Sequence, residues 1–194
     1  IKGNGGISGN GSLIVNGGGN VTLNTTESDY TGATIINSGT VTVAELADAG
    51  IPSSIGAATA SSDNWQMGKA TLIVNNSNTS TNRGLTLNDT ATFTINSGST
   101  ALKGTIKGTG TLVKKGAGQL NLNAGNSYSG GVILENGTLA QGAWNATLCA
   151  SGASLTVKNG TVRIFDQNST STVPNFNYKV SVPKGGKMTL NAGQ

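Results

Sequence analysis

Any chemistry in this sequence has to come from eight carboxylates, one thiol and a few aromatic rings, because the chain contains no histidine. Without an imidazole, a Ser or Cys nucleophile lacks its usual base, and metal sites built on His or on paired Cys cannot form. Carboxylates are the remaining option. Glu27 and Asp29 lie two apart, so on a strand both would face one side, as a general acid and base require. They fall in a polar stretch, 24–30, that reads more simply as a solvated turn. Glu45, Asp48, Asp63, Asp89, Glu135 and Asp166 form no calcium loop with ligands at alternate positions. No catalytic, cofactor-binding or metal-binding residue is assigned, and no enzyme activity is expected. Cys149 reads as a small buried hydrophobe. Three rings are candidates for ligand contact: Trp65, Trp144 and Tyr128. An exposed indole stacks on a sugar, whereas the plainer reading is a cap packed over a flank.

Composition narrows the partners. There are 30 Gly and 3 Pro, and charged residues make up 10% of the chain, against roughly 25% in ordinary soluble domains. Disordered chains rely on charge and Pro, whereas Leu, Ile and Val run through this one among Thr, Asn and Ser, so it should fold as strand and turn. The formal charge of +4 is scattered. The densest cluster, Lys103, Lys107, Lys114 and Lys115, has no interleaved aromatics and reads as a solvated, edge-protecting face. No nucleic-acid partner follows from it. No apolar run reaches the ~18 residues of a membrane span, so no membrane insertion by this segment is expected. The chain opens at Ile1 without a signal peptide, and is read as an excised fragment.

The elements that must carry these residues are set by an internal repeat. Ile7, Gly9, Gly11 and Leu13 recur at Ile106, Gly108, Gly110 and Leu112, an offset of 99; Gly17, Gly19, Val21 and Leu23 recur at Gly116, Gly118, Leu120 and Leu122. At an offset of 98, Tyr30, Gly32, Ile35, Gly39 and Val41 fall on Tyr128, Gly130, Ile133, Gly137 and Leu139. Apolar and small polar residues alternate within each copy. That pattern predicts strands with Leu112, Leu120, Leu122, Ile133 and Leu139 pointing inward, matched by Leu13, Val21, Leu23, Ile35 and Val41. The glycines suit corners. Such thin stripes cannot bury themselves alone, so the coils must stack. The spacers keep the same grammar, apart from one helical candidate over 44–49. One domain is expected over 1–194, with copies at about 7–41 and 106–139. Coils of roughly 20–25 residues would give eight or nine turns and a rod about 40 Å long.

The run Gly108-Thr109-Gly110-Thr111-Leu112-Val113-Lys114-Lys115-Gly116-Ala117-Gly118-Gln119-Leu120-Asn121-Leu122, followed by Asn126-Ser127-Tyr128-Ser129-Gly130-Gly131 and Glu135-Asn136-Gly137-Thr138-Leu139, resembles the autotransporter-associated β-strand repeat, also called the passenger-associated transport repeat. Copy one departs from it, with Asn20 for Gln119 and Ala33 for the second Gly. The resemblance implies a right-handed parallel β-helix (β-solenoid), here part of a longer solenoid. It also implies a secreted or cell-surface, outer-membrane-associated location on a Gram-negative bacterium. The expected role is a non-catalytic stalk, spacer or passenger scaffold, with neighbouring domains of the same polypeptide as partners. The alternative is a carbohydrate-binding or adhesive module whose partners are polysaccharide or host surface glycans. No cofactor is implied, and the repeat brings no ligand residues with it.

Overall fold

A computed structural model describes residues 5–143, 145–164 and 177–192. The described chain is built of parallel strands with one short helical turn, and it coils into a β-solenoid of about seven turns. Three stacked ladders run along it. The first holds β1 (Leu13–Val15), the opening halves of β3 (Thr34–Val43) and β4 (Trp65–Val74), then β6 (Leu85–Leu87) and β9 (Ile106–Gly108). The second holds β2 (Asn20–Leu23), the closing halves of β3 and β4, then β7 (Ala91–Ile95), β10 (Leu112–Lys115), β12 (Val132–Leu134), β14 (Ser154–Val157) and β16 (Lys179–Ser181). The third holds β5 (Asn78–Thr81), β8 (Ser99–Leu102), β11 (Gln119–Leu122), β13 (Thr138–Gln141), β15 (Asn159–Ile164) and β17 (Lys187–Ala192).

Period-two alternation sends every second side chain inward, and the in-register stacking turns those side chains into columns. One column reads Val41, Leu72, Phe93, Lys114, Leu134 and Val157. Another reads Thr100, Leu120, Leu139 and Val162. Each buried Leu in them contributes roughly 1.5–3 kcal/mol of transfer free energy. Glycine permits the corners where successive coils nearly touch. Gly137 has φ +80°, and a Cβ there would lie 2.3 Å from the carbonyl oxygen of Gly116. Its repeat counterpart Gly39 has φ +89°, with the same atom 2.5 Å from Gly17 O. Backbone of this hand and closeness excludes any side chain.

Several sequence expectations are corrected. Ile35 and Ile133 do not point inward: Thr34 and Ile36, and Val132 and Leu134, fill those core positions. Runs of adjacent apolar residues leave the inward parity undetermined, and a slip of one flips every side chain. Residues 44–49 form no helix, and the helical turn is a 3-10 piece at Ser62–Asn64. The solenoid is shorter than expected, about seven turns and so about 34 Å at ~4.8 Å per step. The reason lies in the long coils. Leu13 stacks on Thr34 after 21 residues, but Thr34 on Trp65 only after 31, and Leu155 on Val180 after 25.

The two repeat copies also occupy different phases of the coil. β1 and β2 lie on the first and second ladders, whereas their sequence counterparts β10 and β11 lie on the second and third. Copy two is advanced by one ladder.

Candidate functional site

Two of the three candidate rings, Trp65 and Tyr128, lie in the core. Trp65 opens β4 with none of its surface exposed, edge-on to Phe93 with centroids 6.0 Å apart at 69°. Tyr128 is equally buried, and its hydroxyl donates to the carbonyl of Leu148. Burial pushes its phenol well above the ordinary value. Its counterpart Tyr30 donates to Thr34 Oγ1 at 2.7 Å, whose own proton goes to Ile55 O at 2.9 Å. Neither Trp65 nor Tyr128 presents a ring face to a ligand; both serve as interior packing with a satisfied or buried polar end. Trp144 lies outside the described residues.

Among the described residues the acids do not converge either. Glu27 and Asp29 are both exposed and flank the buried Ser28, whose Oγ accepts from Ile7 N–H at 3.1 Å in the coil before. Asn126 does the same at the matching place in copy two, taking Ile106 N–H at 2.9 Å. Other carboxylates pair with Lys between coils: Asp48 with Lys103 (3.4 Å), Asp63 with Lys107 (2.8 Å), and Glu135 with both Lys115 (3.1 Å) and Lys158 (2.8 Å). The Lys158 hydrogen bond, aided by Lys115, holds the Glu135 carboxyl below its ordinary value. Among the described residues no three Cys, Asp or Glu side chains gather as a metal site would need. Asp166 lies outside them.

Two buried cations were not foreseen. Lys114, grouped above with the solvated lysines, is fully buried because it alternates with Leu112 on the inward side of β10. Its Nζ donates to the carbonyls of Lys115 (2.7 Å), Gly116 (2.8 Å) and Asn136 (3.3 Å), and burial lowers its pKa to about 8. The spacing of two from Leu112 carried that signal; the expectation that Lys belongs in water masked it. Arg83 is also buried. Its guanidinium donates to Ile55 O (2.6 Å) and Asn64 O (3.1 Å), tying the middle and the far end of the long 44–64 excursion to the coil. Both cations are held by backbone carbonyls, an arrangement suited to closing corners.

One open feature among the described residues is a cavity of about 150 Å³ on the outer side of the third ladder. Its floor is Ala140, which stacks between Asn121 and Arg163. Arg163 Nη1 reaches across it to Gln119 Oε1 at 3.3 Å, Gln119 Nε2 donates to Asn121 Oδ1 at 2.6 Å, and Asn121 Nδ2 to Ser99 Oγ at 2.6 Å. Residues 44 apart in sequence meet here, and nothing local in the sequence announces it.

The glycine corners and the inward stripes recur in the two copies, and a family model for the passenger-associated transport repeat matches residues 13–43 and 112–140. The chain carries two copies of the passenger-associated transport repeat. The chain is 37% identical over 149 residues to the adhesin BmaC autotransporter of Brucella suis biovar 1, a match covering 75% of this chain and 4% of that protein. It is 35% identical over 98 residues to the autotransporter lipoprotein NalP of Neisseria meningitidis serogroup B, covering 44% of this chain and 9% of that one. The chain thus spans a small fraction of the relatives it matches. No solved structure matches it. The repeat and these relatives place the segment among secreted or surface-exposed, outer-membrane-associated proteins of Gram-negative bacteria.

Proposed function

We propose that the segment is a non-catalytic structural scaffold, a stalk or spacer that holds the neighbouring domains of its own polypeptide at a fixed separation on the cell surface. The observation that carries this reading is the second ladder, which continues in parallel register from β2 to β16 and encloses a buried column from Val41 to Val157. Stacked coils of this kind resist bending because each is hydrogen-bonded along its length to the next. The paired charges are spent between coils, where they hold register, and not gathered around a cleft.

Excising one coil, residues 91–111, tests the scaffold role, since Ala91 and Leu112 occupy the same place in successive coils. The shortened chain should fold and scatter as a rod about 4.8 Å shorter. Collapse of the fold would argue that the coils are not interchangeable spacers. The chain should also turn over no polysaccharide, peptide or ester; turnover abolished by Glu27→Ala or Asp29→Ala would defeat the non-catalytic reading.

A further inference from the structure

We infer that the depression over Ala140 is a binding site for a carboxylate-bearing saccharide unit, with Arg163 as the anion receptor. The spacer role neither requires nor excludes it.

The cavity exists because small residues lie between larger ones. Ala140 and Gly142 form its low ground, while Asn121, Gln119 and Arg163 stand around it. Its size, about 150 Å³, suits one sugar ring and little more. Arg163 has five N–H donors, and the one hydrogen bond it makes among the described residues is to Gln119. It is exposed and joins none of the four ion pairs, which involve Lys103, Lys107, Lys115 and Lys158. A guanidinium held by one amide and lacking an acid presents its fork to a carboxylate from outside.

The surroundings are mixed, with an apolar floor at Ala140 and Ile164 and a polar rim at Gln119, Asn121 and Arg163. The Gln119–Asn121–Ser99 chain fixes the amide orientations, so that polar groups of known direction border the floor. Beside Gly142, the Oδ1 of Asn123 is buried without a hydrogen-bond partner in the described structure; a Cβ on Gly142 would lie 1.9 Å from it. Gly142 thereby makes room for the Asn123 side chain, whose Oδ1 lies buried outside the lining of the cavity. An uncharged ligand would leave the fork of Arg163 unused, and a bare anion would leave the cavity unfilled. A sugar ring carrying a carboxylate answers both.

The test is a titration of the 194-residue chain, followed by amide NMR shifts, with sialyllactose and digalacturonate as acidic probes and lactose and acetate as controls. One acidic probe or both should saturate the shifts of Asn121, Ala140 and Arg163 in the millimolar range or tighter, a host-type glycan being favoured if sialyllactose wins and a uronate polymer if digalacturonate does. Lactose and acetate should bind at least about tenfold more weakly, since each supplies only half of the contacts. Arg163→Gln should abolish binding and Arg163→Lys should weaken it, the ammonium lacking the fork. Ala140→Leu keeps the arginine and fills the floor, and should abolish binding as well. Melting curves confirm that each variant is folded. Absence of saturation by either acidic probe, equal binding of lactose or of a Glu-containing peptide, or binding that survives Arg163→Gln or Ala140→Leu would each overturn the proposal.

Discussion

The corner at Gly17 and the corner at Gly116 occupy the same place in the two repeats and are closed by different chemistry. Both glycines have positive φ, +92° and +80°. At Gly17 the hydroxyl of Ser38, from the following coil, accepts from the glycine N–H (2.8 Å) and donates to its carbonyl (3.2 Å). At Gly116 an ammonium reaches the carbonyl from within the core, from Lys114. Val15 stands where Lys114 stands in copy two, and Ser38 where Asn136 stands. In both copies the corner carbonyl meets a donor, from the flank in one and from the core in the other. A core position can then exchange a hydrophobe for a cation, provided the acceptors are met.

The largest break in this comparison comes from the apolar columns that both copies share. Leu122 is stacked between Leu102 and Gln141, whereas its counterpart Leu23 pairs only with Val43 among the described strands. Leu122→Ala should cost ~2–5 kcal/mol, and Leu23→Ala less, because a site with one stacked neighbour collapses more easily. Equal shifts in denaturant melts would mean that stacking on both sides adds nothing.

The corner itself is probed next. Lys114→Met leaves three carbonyls short of a donor and should cost about 1–3 kcal/mol. Adding Asn136→Ser rebuilds the copy-one arrangement and should recover part of that loss; a strictly additive double variant would show that the two corners do not interchange.

The lysine also gives the fold a pH signature. Burial lowers its pKa from 10.5 to about 8, so between those values the folded chain binds fewer protons than the unfolded one and stability rises with pH. Cys149 acts in the opposite sense. Its thiol is pushed up from 9.0 to about 12, so the unfolded state ionises first and stability falls as pH climbs above 9. Subtracting the melting profile of Lys114→Met from that of the parent isolates the lysine, and the difference should grow in the parent's favour from about pH 8 to 10.5. A flat difference would show that the three carbonyls hold the charge as well as water does.

The smallest effect is expected at the surface. Lys158→Ala removes one of the two partners of Glu135 and should change stability by no more than about 1 kcal/mol, less in high salt. Because the Glu135 carboxyl is held low, its contribution is present above the ordinary carboxylate range and is lost on acidification. A loss that persists in high salt would mean the pair is more sheltered than its exposure implies.

Much of this architecture is legible in the sequence. The glycines at Gly39 and Gly137 and the leucines at Leu120 and Leu122 announce corners and stacked strands, because each rests on local sterics or on alternation. What escaped depends on neighbours far along the chain. Ile133 sits in the run Val132-Ile133-Leu134, where composition cannot set the parity, and only stacking on β10 and β14 decides it. The aromatic candidates failed as a surface for a related reason. Trp65 and Tyr128 enter the core because their coils bring Phe93 and Leu148 to meet them. Arg163 and Gln119 meet across the coil between them, a distance that no local pattern encodes.

The one-ladder offset between the copies makes the repeat behave as a mark on a screw thread. Ile14 has Lys107 as its partner along the first ladder, through Ile35, Gln66 and Thr86, a step of 93 residues, while its sequence counterpart is Val113, six residues further on. An excursion grafted at a given repeat position therefore leaves the rod from a new side in each copy. After β3 the chain departs into the 44–64 excursion from the second ladder; after β13, the matching strand, it departs from the third. Duplicating a unit of this length spreads its outgrowths around the circumference, so that a slender column can carry bulky loops without their colliding.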